Sequence, residues 1–407
     1  MNTPYDAIVV GARCAGAPTA MLLARRGHTV LLVDRATFPS DTLSTHVIHA
    51  PGVAALSRWG LLGQVVATGC PPINTYAYDF GLFTIRGSAR PVDGQASGYA
   101  PRRTVLDKIL VEAATASGAE VRQGFNVDSF LIEDGDVVGI TGHTDDGENV
   151  EAKARIVIGA DGKNSHLAKT VQAAEYETRP RLQYCYYTYF QDLPTDGMEV
   201  YIRPDRGFAA APTNDGLTMV VAGWPYAEAA AYKADVEGNF LKTLELAPEF
   251  AERVRAATHV APFLGGAVPG FFRTPFGPGW ALVGDAGYNK DPITAQGISD
   301  AFSDAERCST AIHTWLTGGS TYDAAMTAWR RARDNGAMPI YEFTCQLASL
   351  EPPPPEMQQL LGAMHGDQEA MDGFVSVIAG TVSPVEFFSP DNIERITKVA
   401  RDPAVVR

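Results

Sequence analysis

Two glycines near the start of this 407-residue chain bracket a turn that could bind phosphate groups. Gly11 and Gly16 begin and end the segment Gly-Ala-Arg-Cys-Ala-Gly. Asp34 follows about 20 residues later, at the spacing of an acid that accepts hydrogen bonds from a ribose. Glycines in such a turn let the backbone approach a pyrophosphate, and the N-terminus of the next helix stabilises its negative charge. The pattern predicts a dinucleotide site.

Arg13 stands where Gly-x-Gly-x-x-Gly turns carry their middle glycine. An arginine here either points away from the pyrophosphate or pairs with it. We expect pairing, because an acidic protein needs local cations around a dianionic group. Cys14 and Ala15 complete the turn, and Arg35 follows Asp34. We expect all of these residues to contact the dinucleotide.

Two later segments follow apolar runs of the kind found in buried strands. Asp161 comes after Arg155–Ala160, and the pair Gly284-Asp285 comes after Trp280–Val283. Asp-Gly pairs are mostly plain turns, but the pair that begins at Asp161 follows an apolar strand, which favours a functional loop. The carboxylate of Asp285 can accept a hydrogen bond from a ribityl hydroxyl, and the loop after it can stabilise negative charge.

The elements that would position these residues form a βαβ unit. Tyr5–Val10 and Thr29–Asp34 are apolar and rich in β-branched residues, as in strands of a buried parallel sheet. Between them, Thr19–Arg26 predicts a helix that ends at Gly27. Strand, glycine turn, helix and strand are the order of a dinucleotide-binding fold. Arg103 opens a further predicted helix.

The order of the three motifs resembles that of the FAD-dependent monooxygenases of the para-hydroxybenzoate hydroxylase type, and of the related geranylgeranyl-reductase-like and flavin halogenase proteins. The third motif matches the family's Gly-Asp-Ala-Ala-His-x-x-x-Pro-x-x-Gly-Gln-Gly in register at these positions: Gly284, Asp285, Ala286, Pro292, Gln296 and Gly297. It departs from that motif at Gly287, Tyr288 and Ala295. The resemblance covers residues 1 to about 345.

The resemblance implies that FAD contacts the residues named above, including Arg103, and also Pro292, Gln296, Gly297 and Ile298. In the resembled family, NADH or NADPH reduces the flavin, which then traps O₂ as a hydroperoxide and transfers an oxygen atom to an electron-rich substrate. Because the flavin carries this chemistry, we identify no catalytic side chain. The chain has no second glycine turn for NADPH, which agrees with the family, where that nucleotide docks transiently.

The middle of the chain is rich in aromatic residues. Leu182–Phe190 and the shorter apolar runs after it predict an antiparallel sheet, which in the resembled family forms the floor of the substrate chamber. Tyr184 and Tyr186 project to one face of their strand. We expect this face to line a pocket together with Trp224 and with His46, a loop residue. The alternative is that these aromatic side chains pack in a core.

These patterns predict an α/β protein with a Rossmann-like FAD-binding domain built on a parallel sheet, an antiparallel substrate domain and a helical C-terminal tail. The FAD-binding domain takes residues 1–72, 98–172 and 262–345. The substrate domain takes residues 73–97 and 173–261, and the helical segment takes residues 346–407.

Composition excludes several classes of function. The net charge of −14 disfavours a nucleic-acid partner, which needs clustered basic residues. The five cysteines are scattered, which disfavours disulfides and a zinc site, and His46 and His49 lack a third metal ligand nearby. No apolar stretch reaches the roughly 18 residues of a membrane span. We expect a cytoplasmic monomer or homodimer without a metal.

The leading prediction is an NAD(P)H-consuming monooxygenase that hydroxylates or epoxidises a hydrophobic aromatic, polyketide or terpenoid molecule. One alternative is an FAD-dependent reductase that saturates prenyl-type double bonds at the same site. A non-catalytic flavin-binding protein is the alternative from another class, and the enclosed aromatic sheet argues against it. A halogenase is disfavoured because the Trp-x-Trp pair of that branch is absent from the sequence.

Overall fold

The structure is a computed structural model that describes residues 4–399. Its strands are β1 Tyr5–Val10, β2 Val30–Asp34, β3 Pro72–Ile73, β4 Tyr76–Asp79, β5 Thr84–Gly87, β6 Gly98–Tyr99, β7 Glu120–Gln123, β8 Phe125–Glu133, β9 Asp136–Thr144, β10 Asn149–Gly159, β11 Glu175–Arg179, β12 Gln183–Gln191, β13 Met198–Arg203, β14 Arg206–Pro212, β15 Leu217–Pro225, β16 Thr258–His259, β17 Leu264–Gly266, β18 Gly270–Arg273, β19 Phe276–Gly277, β20 Trp280–Leu282 and β21 Tyr288–Asn289. Its helices are α1 Gly16–Ala24, α2 Ala50–Arg58, α3 Leu62–Ala67, α4 Arg103–Ala116, α5 His166–Thr170, α6 Ala229–Ala234, α7 Val236–Leu244, α8 Pro248–Ala256, α9 Gly297–Leu316, α10 Tyr322–Ala348, α11 Pro355–Met364, α12 Gln368–Ile378, α13 Pro384–Phe387 and α14 Pro390–Val399.

The first sheet is the predicted parallel sheet. Strands β20, β10, β1, β2 and β7 run parallel to one another, and β19 joins the edge antiparallel. Apolar residues of α1, α4 and α9, such as Leu23, Leu106 and Phe302, bury one face. The β8–β9 hairpin buries the other with Phe130 and Val137. Helix α1 begins at Gly16, earlier than the predicted start, so that it rises directly from the glycine turn.

The second sheet has the order β16-β12-β15-β14-β13-β4-β5, and β17 also pairs with β12. Its pairs are antiparallel, as predicted, except that β4 lies parallel to β13. This exception arises because β4 comes from a distant part of the chain and not from a hairpin with β13. Helices α7 and α8 cover one face of the sheet.

The C-terminal helices α11 and α12 pack over the opposite face of the second sheet, near β4 and β5. The sheet is therefore the middle layer between two sets of helices. Residues 400–407 of the predicted C-terminal segment lie outside the described residues.

Candidate active site

The candidate site lies where the carboxyl ends of four parallel strands meet. Strands β1, β2, β10 and β20 end side by side, so the segments at Gly11, Asp34, Asp161 and Gly284 share one edge of the sheet. A continuous cavity of about 1780 Å³ opens against these segments and extends along the second sheet. Crevices at this edge are where open parallel sheets bind ligands.

Two glycines keep the turn after β1 free of side chains. Gly11 has a φ of 102°, and a Cβ at this position would overlap the carbonyl oxygen of Ala160. A Cβ at Gly16 would overlap the carbonyl oxygen of Gly11. The turn therefore packs directly on the end of β10, and its backbone borders the cavity. This close packing fits the pyrophosphate of a dinucleotide.

The carboxylate of Asp34 links the turn after β1 to the loop after β2. Its carboxylate accepts hydrogen bonds from the backbone N–H groups of Ala12 at 2.6 Å and Ala36 at 2.8 Å. The residue is half-buried and borders the cavity, as does the exposed Arg35. These two hydrogen bonds fix the carboxylate beside the glycine turn. That it accepts hydrogen bonds from a ribose remains a prediction.

A buried carboxylate, Asp107, joins two of the three arginines that were predicted to contact the cofactor, Arg13 and Arg103. Arg103 binds it through Nε and Nη2, both at 3.0 Å, and Arg13 binds it through Nη1 at 2.5 Å. Arg13 also donates to the hydroxyl of Ser40 at 2.7 Å. In this structure the Arg13 guanidinium is thus held by protein groups, and its expected pairing with the pyrophosphate remains a prediction. Burial raises the pKa of the Cys14 thiol, which also contacts Asp107 and stays protonated.

The sequence analysis missed Asp107, although a signal was available. Asp107 lies four residues after Arg103 on α4, the spacing at which opposite charges meet on a helix. Its complete burial makes this ion pair part of the floor of the site.

Two further carboxylates border the cavity at the other strand ends. Asp161 accepts the backbone N–H of His166 at 2.6 Å through Oδ2, and its Oδ1 is buried without a hydrogen-bond partner. Asp285 is exposed to the cavity. Neighbouring protein atoms partly desolvate the Asp285 carboxylate, which raises its pKa. The positive charges of Lys163 and Arg103 act in the opposite direction. Acceptors so placed fit the sugar and ribityl hydroxyls of FAD.

The loop after Asp285 borders the cavity through Pro292, Gly297 and Ile298. Gln296 does not line the cavity, and its predicted contact with the cofactor remains a prediction. Its Nε2 donates to the carbonyl of Ile378 at 2.6 Å, while its Oε1 accepts from Lys290 at 3.2 Å. The side chain turns away because the C-terminal helix α12 offers a buried acceptor. Gly16 likewise lies behind the turn and not on the cavity wall.

The cavity runs along the face of the second sheet opposite to the face that carries Tyr184 and Tyr186. Gln183, Cys185 and Tyr187 of β12 line the cavity. Tyr184, Tyr186 and Trp224 lie on the other face, against α6 to α8, where the Trp224 indole donates to Thr243 at 2.8 Å. These three pocket predictions are corrected, because α6 to α8 cover the face that carries them. The alternative of core packing applies to them.

His46 and His49 brace the segment between β2 and α2. His46 is fully buried, binds the Tyr189 hydroxyl and does not line the cavity, so its predicted pocket position is corrected. His49 binds the Tyr76 hydroxyl at 3.2 Å and the Thr294 carbonyl at 3.0 Å. Burial lowers the pKa of His46 to about 3 and that of His49 to about 4, so both are neutral at pH 7.

Asp291 is a second polar residue that the sequence analysis missed. Its Oδ1 accepts from the Gln183 amide and from the Ile293 backbone N–H at 3.0 Å, while its Oδ2 has no hydrogen-bond partner. Burial raises the pKa of Asp291 to about 7, and the residue borders the cavity. The aspartate directly before Pro292 in the third motif was visible in the sequence, but the proximity of β12 was not.

Within residues 4–399, no three His, Cys, Asp or Glu side chains cluster as metal ligands would. Over the same residues, none of the helices combines the length and the apolar character that a bilayer crossing demands.

Comparison with known proteins identifies relatives over most of the chain. A family model described as FAD binding domain matches residues 4–339. Digeranylgeranylglycerophospholipid reductase 2 of Methanopyrus kandleri is 29% identical over 313 residues, which are 72% of this chain and 73% of that protein. Rifampicin monooxygenase of Streptomyces venezuelae is 28% identical over 389 residues, which are 88% of this chain and 75% of that protein.

Solved structures share the fold at lower identity. A flavoprotein/dehydrogenase from Cytophaga hutchinsonii superposes with a TM-score of 0.80 at 19% identity, covering 98% of this chain and 99% of that one. The myxobacterial chondrochloren halogenase superposes with a TM-score of 0.79 at 23% identity, covering 98% and 97%. The mixed α/β architecture with its C-terminal helices is therefore that of known flavoproteins.

Proposed function

Because the chain belongs to the FAD binding domain family and is a flavin-dependent oxidoreductase, we propose that it is a monooxygenase that consumes NADH or NADPH and oxidises a hydrophobic small molecule. The observation that carries this proposal is the continuous cavity, which joins the glycine turn to an apolar chamber beneath the C-terminal helices. FAD bound at the turn supplies the redox chemistry with O₂. The chain itself supplies binding, orientation and exclusion of water.

The cofactor end of the cavity is assigned to the segments that meet at the sheet edge. The turn from Gly11 would hold the pyrophosphate, Asp34 the ribose and Asp285 the ribityl chain. Arg103, fixed by Asp107, would face the flavin from α4. No side chain in this set needs to transfer a proton for the cofactor to bind.

The chamber end is assigned to the substrate. Ala209, Ala211 and Val221 line it from the sheet, and Leu361 and Phe374 line it from the C-terminal helices. Such walls bind an apolar molecule and exclude water from the place where the reduced cofactor would react with O₂. Exclusion of water is what an oxygen-transfer enzyme requires of its protein. The 28% identity to rifampicin monooxygenase over most of the chain also supports oxygen transfer to a large substrate.

The relatives also support a second candidate function, reduction of a prenyl-type double bond. Several digeranylgeranylglycerophospholipid reductases, such as that of Methanocella arvoryzae at 27% identity, match this chain. A long apolar chamber suits a prenyl chain as well as it suits an aromatic substrate. The two functions differ in their use of O₂.

Oxygen and nicotinamide consumption separate the two candidates. The purified protein, loaded with FAD, is given NADPH or NADH with hydrophobic phenols or with geranylgeranyl compounds. A monooxygenase takes up one O₂ for each nicotinamide oxidised with product, and forms no product without air. Full nicotinamide oxidation under anaerobic conditions with a saturated product would overturn the monooxygenase proposal and support the reductase.

A further inference from the structure

The cavity opens to solvent both at its cofactor end and at the end of the apolar chamber. At the cofactor end, the exposed lining residues include Arg35, Asp41 and Asn164. At the chamber end, the lining includes Leu82, which is 97% exposed at the tip of the β4–β5 hairpin. FAD bound along the strand ends would occupy the first opening. The second opening, which we call the outer mouth, is left for the substrate.

Three elements that line the cavity surround the outer mouth: the β4–β5 tip (residues 80–83), the β13–β14 turn (residues 203–206) and the proline segment between α10 and α11 (residues 351–354). Arg203 Nη1 donates to the Asp79 carbonyl at 2.9 Å, which joins the turn to the hairpin. The Asp205 N–H donates to the Leu350 carbonyl at 3.3 Å, which joins the turn to the start of the proline segment. The three elements therefore form one rim.

The proline segment borders the mouth without a polar anchor. Its three prolines have no backbone N–H to donate. Among the described residues, the hydrogen bonds of residues 351–354 stay within residues 349–358. Examples are the Glu351 N–H to Ser349 Oγ at 3.2 Å and Gln358 Nε2 to the Pro353 carbonyl at 2.6 Å. A movement of this segment away from the hairpin tip would break no hydrogen bond between them.

The opposite side of the chamber is closed by hydrogen bonds between α12 and the region of β5. Gln368 Nε2 donates to the Arg86 carbonyl at 3.2 Å, and the Ser88 N–H donates to Asp372 Oδ1 at 2.8 Å. Passage of a ligand between α12 and β5 would break these bonds and leave polar groups without partners, which is costly. The outer mouth is therefore the easier way into the chamber.

The hairpin tip at the outer mouth is apolar. The Phe80 and Phe83 rings stack with their centroids 5.2 Å apart, and Leu82 lies between them in the sequence. Of the large aliphatic and aromatic side chains that are exposed in residues 4–399, only Leu82 and Leu43 line the cavity. Leu43 belongs to the segment between β2 and α2, so the two leucines mark two possible entrances for an apolar molecule.

We propose that the substrate enters and leaves the chamber through the outer mouth while FAD stays bound at the other end, and that Leu82 controls this passage. The inference rests on the proposed function for the position of the cofactor. It assigns substrate exchange to a hairpin tip and a proline segment that lie apart from the segments assigned to FAD. Leu82 acts on the rates of binding and release and not on the affinity of the bound complex.

The test obstructs each entrance in turn. Leu82→Cys and Leu43→Cys are labelled with a polyethylene glycol maleimide, which is too bulky to enter the cavity. Ile132→Cys is the matched control, because Ile132 is 51% exposed on β8 and does not line the cavity. The unsubstituted enzyme, treated with the same reagent, accounts for the native thiols. Stopped-flow flavin absorbance then follows para-octylphenol binding to each oxidised, FAD-bound enzyme.

The label at Leu82→Cys should lower the association and dissociation rate constants together, each at least about tenfold. The Kd should stay within about twofold, since an obstacle in the mouth slows passage equally in both directions. The labels at Leu43→Cys and Ile132→Cys should leave both rate constants unchanged. The FAD content should be the same in all of the labelled proteins.

Unchanged rate constants in labelled Leu82→Cys would overturn the inference. Equal or greater slowing in labelled Leu43→Cys would also overturn it and assign the entrance to the cofactor end. Absence of octylphenol binding by the unlabelled enzyme would overturn both the route and the apolar chamber. Because these rates are measured without a nicotinamide, a failure of oxygen uptake would refute the proposed monooxygenase while the labels still decide the route.

Discussion

The two ends of the cavity are built in different ways. At the cofactor end, backbone atoms and buried charges set the geometry, as in the contacts of Ala12 with Asp34 and of Arg103 with Asp107. At the chamber end, the walls are apolar side chains from distant parts of the chain, such as Val221 and Phe374. The cofactor end should therefore tolerate almost no change, while the chamber can change volume and keep its fold.

The largest expected effect is at the ion pair beneath the cofactor end. Asp107→Asn leaves the buried Arg103 guanidinium without its counter-charge, which costs about 3 to 5 kcal/mol of unfolding free energy. Urea unfolding measures this loss. Glu112→Gln on the same helix breaks the exposed pair with Lys108 and should cost under about 0.5 kcal/mol. Equal losses of unfolding free energy in Asp107→Asn and Glu112→Gln would contradict the expected difference between a buried and an exposed ion pair.

A smaller effect is expected at the glycine turn. Gly16→Ala places a methyl group on the Gly11 carbonyl, so the turn must shift, at a cost of about 1 to 3 kcal/mol. FAD affinity should fall at least about tenfold in a fluorescence titration. Gly63→Ala on α3 has open space around it and should retain full affinity. Normal FAD binding by Gly16→Ala would show that the turn adapts.

The smallest effect is expected in the chamber. Ala211→Leu adds volume to the lining and should weaken binding of a long apolar ligand by about threefold to tenfold, with FAD affinity unchanged. Absorbance titration of the FAD-bound enzyme measures both constants. Tyr184→Phe, on the helix-covered face of β12, should change neither. A loss of FAD from Ala211→Leu would mean that the two ends are not independent.

The same contrast explains how much the sequence could predict. The βαβ unit, the turn and the three strand-end segments followed from local spacing, and the structure brings Gly11, Asp34, Asp161 and Gly284 to one edge. These features depend on residues close together in the sequence. The ion pair between Arg103 and Asp107 also depends on local spacing, four residues along a helix, so the sequence could have predicted it.

The chamber was harder to predict because side chains alternate along a strand. Tyr186 and Tyr187 are neighbours, yet only Tyr187 lines the cavity. Which face becomes a pocket is decided by where α6 to α8 pack, and no local pattern specifies that. The orientation of Gln296 was missed for the same reason, since its acceptor on Ile378 comes from a helix far along the chain.

The hydrogen bond from the Gln296 side chain to the Ile378 carbonyl joins the loop after Asp285, which borders the cavity, to the C-terminal helix α12. Evolution toward a new substrate by exchange of the C-terminal helices is therefore constrained. Because the acceptor is a main-chain carbonyl, a hybrid enzyme that imports such helices from a relative keeps the hydrogen bond only if the end of α12 stays in place beside Gln296. Otherwise the Gln296 amide loses its buried acceptor, and the segment that carries the cavity-lining residues Pro292 and Gly297 loses a contact that holds it in place.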